Sequence, residues 1–111
     1  AQGDGEVCGV AAEVPTLGTL TVDVIKGRSV PNPRIENDEF IMSLGSARPL
    51  EDAGRMAFYD LVTWLESDYG IERIAGYQLC SQVAKVRLAN FVDVLYSNVA
   101  KIPKRYLPAI R

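Results

Sequence analysis

Apolar and polar residues follow a period of two along the first part of this chain and a helical period in the middle. A strand-like run then returns near the end. The cleanest alternation lies at residues 19–26, Thr-Leu-Thr-Val-Asp-Val-Ile-Lys, and predicts a strand with Leu20, Val22 and Val24 facing in and Thr21 and Asp23 facing out. Residues 6–14 place Cys8, Val10, Ala12 and Val14 on one face and Val7, Ala11 and Glu13 on the other. That pattern predicts a strand packed on both sides, beneath another sheet or chain, and ended by Pro15. Thr16-Leu17-Gly18 is turn material. Two prolines spaced by one residue make 27–33 a loop. Arg34-Ile35-Glu36 and residues 39–44 flank Asn37-Asp38, which predicts a two-residue hairpin turn, and Gly45 closes the β region.

From Pro49 to about Asp68 apolar residues fall at Leu50, Ala53, Met56, Ala57, Leu61, Trp64 and Leu65, the stripe of an amphipathic helix. Pro49 suits its first turn, Glu51 and Asp52 complement the helix dipole, and Gly70 stops it. A second helix over 71–83 sets Ile71, Ile74, Ala75, Leu79 and Val83 on one stripe. Residues 92–102 read as a long closing strand ended by Pro103, with a polar tail beyond it. The order β-β-β-β-α-α-β groups the helices together, which is an α+β arrangement, mainly β, in one unit spanning 1–111.

Composition narrows the classes without choosing among them. The 111 residues suffice for one small domain, and 48% apolar with 23% charged residues is ordinary for a globular protein. A net charge of −2 gives no electrostatic case for nucleic acid or for an anionic membrane, and Lys101, Lys104 and Arg105 are too few to make a phosphate-binding patch. No apolar run is as long as a membrane span. Cys8 and Cys80 read as buried free thiols of a cytoplasmic protein, one disulfide between them being the alternative. Histidine is absent, so neither a Ser-His-Asp triad, nor a Cys-His pair, nor a His-ligated zinc site can be completed within the chain.

The candidate chemistry is at the start, in Gln2-Gly3-Asp4-Gly5-Glu6-Val7-Cys8-Gly9. In extended chain Asp4 and Glu6 project to one face, and two converging carboxylates can bind a metal or act as acid and base. The same residues also suit a polar Asp-Gly turn entering a strand. Gly3 and Gly5 permit positive φ and a close approach of backbone to ligand.

This motif resembles the most characteristic stretch of the acetamidase/formamidase family, the short-chain amide hydrolases. The resemblance continues in order through Glu39-Phe40-Ile41-Met42-Ser43-Leu44-Gly45, Asp60-Leu61-Val62-Thr63-Trp64-Leu65 and Gly76-Tyr77-Gln78-Leu79-Cys80-Ser81 to Lys101-Ile102-Pro103-Lys104-Arg105-Tyr106-Leu107. It departs at Ala84-Lys85, where many members carry an acidic pair. Members are much longer, and the likeness is to their C-terminal part. The chain is therefore expected to be a fragment, a processed subunit or an expressed piece of a longer amidase.

The resemblance implies a β-sandwich built from the whole family chain, of which these residues supply strands and two helices at the side. It implies hydrolysis of a short linear amide to carboxylate and ammonia, with a divalent metal, zinc being the candidate. Glu6 is the expected general base or metal ligand, the remaining ligands lying outside this chain. Asp4 is the second catalytic candidate, or only a turn residue. Gln2 is expected to bind substrate or orient Asp4, with Gly3 and Gly5 beside it. Cys8 lacks a base and is expected to pack; Asp93 and Tyr77 are expected to be structural. The expected partners are the N-terminal remainder or a second chain, a small amide substrate, and further copies in a homo-oligomer. The rival expectation is a non-catalytic interaction domain that keeps the scaffold without the site.

Overall fold

A computed structural model of the chain describes residues 1–109. Its elements are β1 (Arg34–Glu36), β2 (Phe40–Ala47), α1 (Leu50–Tyr69), α2 (Arg73–Val83), β3 (Lys85–Asn90) and β4 (Tyr96–Pro103), followed by a 3-10 turn at Lys104–Tyr106. The four strands form one antiparallel sheet in the order β1-β2-β4-β3, with the helices packed at its side. This is the α+β class that the grouped helices predicted.

The core forms where α1 lies on the sheet. Period two turns Ile41, Ser43 and Gly45 of β2 toward the helix, and the register sets Ile41 opposite Ile102 and Ser43 opposite Ala100. From α1, Ala57, Leu61, Trp64 and Leu65 are buried against them. Gly45 continues the strand rather than closing it. A Cβ there would lie 2.0 Å from the Ala53 carbonyl oxygen and 2.8 Å from the Ala57 nitrogen, so the missing side chain sets the distance between helix and sheet.

Helix α1 ends at Gly70 in the left-handed conformation (φ 67°), whose N–H reaches the Leu65 carbonyl. Glu72 then caps α2, accepting from the N–H groups of Ile74 and Ala75 at 2.9 and 3.1 Å. The stripe expected on α2 is rotated. Gly76 and Cys80 are its buried residues, Ile71, Leu79 and Val83 border the core, and Ile74 and Ala75 are exposed. Gly76 faces the Leu65 side chain, and its small size lets the two helices approach.

Three strand expectations need correction. Residues 6–14 and 19–26 form no strand among the described residues; both runs lack any ladder partner. The closing strand expected at 92–102 is β4, which starts only at Tyr96 after bends at 91–95, and β3, which pairs with it, was not expected. The hairpin is real but shifted by one residue. Asn37 and Phe40 pair across Asp38-Glu39, and the Asn37 side-chain oxygen accepts from the Glu39 and Phe40 N–H groups at 2.9 and 2.8 Å.

Candidate functional site

The N-terminal motif does not extend into a strand. It folds back onto the end of β3. Gly5 is buried there with φ 84°; its N–H donates to the Leu88 carbonyl at 2.8 Å, and its own carbonyl accepts from Phe91 N–H at 3.2 Å. A Cβ on Gly5 would fall 2.3 Å from the Phe91 ring, which would have to shift, and the positive φ itself favours glycine. Gln2 anchors the approach, donating from Nε2 to the Ala89 carbonyl at 2.9 Å. Gly3 accepts the Glu6 N–H at 3.2 Å in the turn that follows.

Because the chain turns at Gly5, Asp4 and Glu6 part company. Asp4 is taken by Arg87, whose Nε donates to Oδ1 at 3.0 Å and whose Nη2 also reaches it. Glu6 sits half-buried at φ 47°, a left-handed backbone that side-chain-bearing residues seldom adopt. Its Oε2 accepts from Asn90 Nδ2 at 3.2 Å, and the same amide donates to Asp93 Oδ2 at 2.5 Å. Asn90 is itself pinned by its Oδ1, which accepts from Val92 N–H and Asp93 N–H at 3.2 Å. The structure thus pairs Glu6 with Asp93 rather than with Asp4.

The period-two argument failed at one residue, since positive φ at Gly5 breaks the alternation it assumes. Asn90, Asp93 and Arg87 were not singled out as site residues. The signal available was Asn90-Phe91-Val92-Asp93, a local Asx-turn pattern that contradicts a continuous strand. Among the described residues no three His, Cys, Asp or Glu side chains are grouped to hold a metal ion. Glu6 and Asp93 would supply two oxygen ligands at most, short of the three protein ligands of a catalytic zinc site.

The cysteines are both free, but only Cys80 is buried. Cys8 is exposed, correcting the expectation that it packs, and its nearest polar partner is the Val10 carbonyl at 3.6 Å. Burial pushes the Cys80 thiol up to about 11, so it stays protonated and is no nucleophile at neutral pH. It opens on an apolar groove of 740 Å³ between α1 and α2, lined also by Phe58, Tyr59, Ile74 and Tyr77. That groove contains neither Glu6 nor Asp93.

A second polar cluster holds β1 to α1. Asp60 is wholly buried, receives Arg34 Nε at 2.9 Å and Nη2 at 2.7 Å, and accepts from Ser43 Oγ at 2.7 Å. The Arg34 guanidinium lies 4.9 Å over the Trp64 ring. Every donor that reaches Asp60 comes from a framework strand, which makes the cluster a brace for the fold. Two turns on from Asp60, Asp68 accepts from Arg28 at 2.5 Å and Trp64 Nε1 at 3.0 Å, tying the 27–33 loop to the same helix.

No protein-family model and no curated protein matches the chain. Solved structures do. The acetamidase from Yersinia enterocolitica is 51% identical with a TM-score of 0.92, over 95% of this chain and 32% of that one. The acetamidase from Bacillus halodurans is 24% identical (TM-score 0.76, 96% of this chain, 36% of that chain). A predicted acetamidase/formamidase from Thermoanaerobacter tengcongensis is 22% identical (TM-score 0.67, 74% and 27%). At those identities the last two speak for the fold alone. The chain spans about a third of the length of the structures it matches.

Proposed function

Since this chain carries part of the sequence and fold of the acetamidase/formamidase family, we propose that it works as one part of an enzyme that hydrolyses the C–N bond of short linear amides such as formamide and acetamide. The observation that carries this reading is the 51% identity to an acetamidase over 95% of the chain, and beside it stands the turn that holds Glu6 at positive φ. An amide resists attack, so the site must activate water, stabilise an oxyanion and protonate the leaving nitrogen.

Glu6 is the group for proton transfer or metal ligation. Asn90 fixes the Glu6 carboxylate by a direct hydrogen bond and holds Asp93 beside it. Asp4, paired with Arg87, serves the turn and not the reaction, and Gln2 with Gly3 and Gly5 forms the loop that presents Glu6. A divalent metal, zinc for preference, would take Glu6 and Asp93 with further ligands from outside this chain; when bound it supplies a Lewis acid for the amide carbonyl. The rest of an acetamidase-like chain or a second subunit completes the site, within a cytoplasmic homo-oligomer. No helix among the described residues is long and apolar enough to cross a membrane.

A scaffold without catalysis is the second reading, favoured by the engagement of Asp4 in an ion pair and by the lack of a three-ligand group among the described residues. Glu6→Gln in the assembled enzyme separates the two. Gln keeps the size and can still meet the Asn90 amide, but it loses charge and basicity. The expected result is a fall in kcat/KM on formamide and acetamide of about 10²–10⁴-fold with the fold intact. Metal analysis beside the kinetics tells base from ligand: an emptied metal site marks a ligand, and full occupancy marks a base. Unchanged kcat/KM with full metal content would refute the assignment.

A further inference from the structure

The orientation of Asn90 is set by the chain that follows it, not by the carboxylates it meets. Backbone N–H groups only donate, and two of them, from Val92 and Asp93, reach the Asn90 side chain at 3.2 Å each. The oxygen end of the carboxamide, Oδ1, therefore has to face them. Nδ2 is turned the other way, where it meets Glu6 Oε2 at 3.2 Å and Asp93 Oδ2 at 2.5 Å. Two N–H bonds meet two carboxylates, and the donor capacity of the amide is used up.

Glu6 is held from its backbone as well. Its N–H donates to the Gly3 carbonyl at 3.2 Å, and its carbonyl accepts from Gly9 N–H at 2.8 Å. The freedom left to Glu6 is in its side-chain torsions, and Asn90 is the one side chain among the described residues that hydrogen-bonds to it. That bond is made to Oε2, and Oε1 accepts none among the described residues. Arg87, the cation of the same strand, is spent on Asp4. A neutral amide orients a carboxylate and leaves it basic, whereas a guanidinium in its place would lower that basicity.

We propose that Asn90 is the positioning residue of this site: it clamps Glu6 by Oε2 and so selects Oε1 as the oxygen that takes the proton or the metal. The inference rests on the reading of Glu6 as the working carboxylate, and adds which oxygen works and what aims it. Asn90→Asp and Asn90→Ser in the assembled enzyme are the test. Each keeps an oxygen for the Val92 and Asp93 N–H groups, so the turn survives. Neither donates to Glu6, since an ionised Asp has no donor and the Ser hydroxyl is too short to reach. Asp adds a charge and Ser does not, so a loss common to both belongs to the missing N–H. In each variant kcat per bound metal on formamide and acetamide is expected to fall about 10–100-fold, with KM changed less than about threefold. In a Glu6→Gln background the same substitutions should cost less than about twofold, because no carboxylate is left to aim. Thermal unfolding checks the fold of every variant. Equal losses in the two backgrounds would make Asn90 a brace of the turn and overturn the proposal. Unaltered kcat in both Asn90 variants beside a full Glu6→Gln loss would overturn it too, while leaving the role of Glu6 intact. Glu6→Gln without effect would overturn the catalytic reading, and the positioning with it.

Discussion

Asp60 is fully enclosed, yet it is held as an anion. Burial raises its pKa, but the hydrogen bonds from Arg34 and Ser43 and the Arg34 charge outweigh that and bring it below the ordinary 3.8. The folded pKa is therefore depressed relative to the unfolded one. Its stabilising contribution is complete above pH 3.8 and is lost as pH falls through the lower folded value. Asp60→Asn is expected to flatten that acid limb and to cost about 3–5 kcal/mol at neutral pH, because Arg34 is left as an unmatched, largely buried charge. Urea unfolding followed by Trp64, the only tryptophan, across the acid range measures both. A loss under about 1 kcal/mol would mean the cluster is no brace.

At the scale of elements, the contact between α1 and β2 depends on absent atoms as much as on apolar ones. Gly45 lies beneath the Ala53–Ala57 turn, and the groups that a Cβ would strike belong to the helix backbone, which cannot swing aside as a side chain can. Gly45→Ala should therefore push the helix from the sheet and loosen Ile41 and Leu61, at a cost of about 1–3 kcal/mol or more. Thermal unfolding of the variant reads this directly. An unchanged Tm would show that the helix shifts freely, and the packing argument would fail. At Gly5 of the candidate site the limit is of another kind: the atoms a Cβ would meet belong to the Phe91 side chain, and it is the φ of 84° that favours glycine.

The molecule as a whole divides unevenly. Residues 34–107 carry the sheet, the helices and the buried cluster, while 7–25 present Val10, Val14, Leu17 and Leu20 to water, Leu17 at 98% exposure. Contiguous exposed apolar surface of this kind promotes association. On its own the 111-residue chain should self-associate with rising concentration, and light scattering across a dilution series is the measurement. A strictly monomeric, cooperatively unfolding product would contradict this.

The sequence by itself determined the parts whose cause is local. Helix α1 followed from a 3.6-residue stripe, Pro49 and Gly70; the hairpin followed to within one residue from Asn37-Asp38; and the likeness to an acetamidase was already legible in the Gln2–Gly9 motif. Only tertiary structure decided the rest. Residues 19–26 have a strand's pattern but no strand, because a strand exists through hydrogen bonds to a neighbour and alternation cannot supply one. Residues 85–90 are a strand because β4 offers them an edge to pair with. Asp4 and Glu6 look paired along the chain, yet a positive φ at Gly5 sends them apart, to Arg87 and to Asn90, both more than 80 residues away. Which carboxylate stands beside Glu6 depends on where β3 ends, and that is set by packing across the sheet.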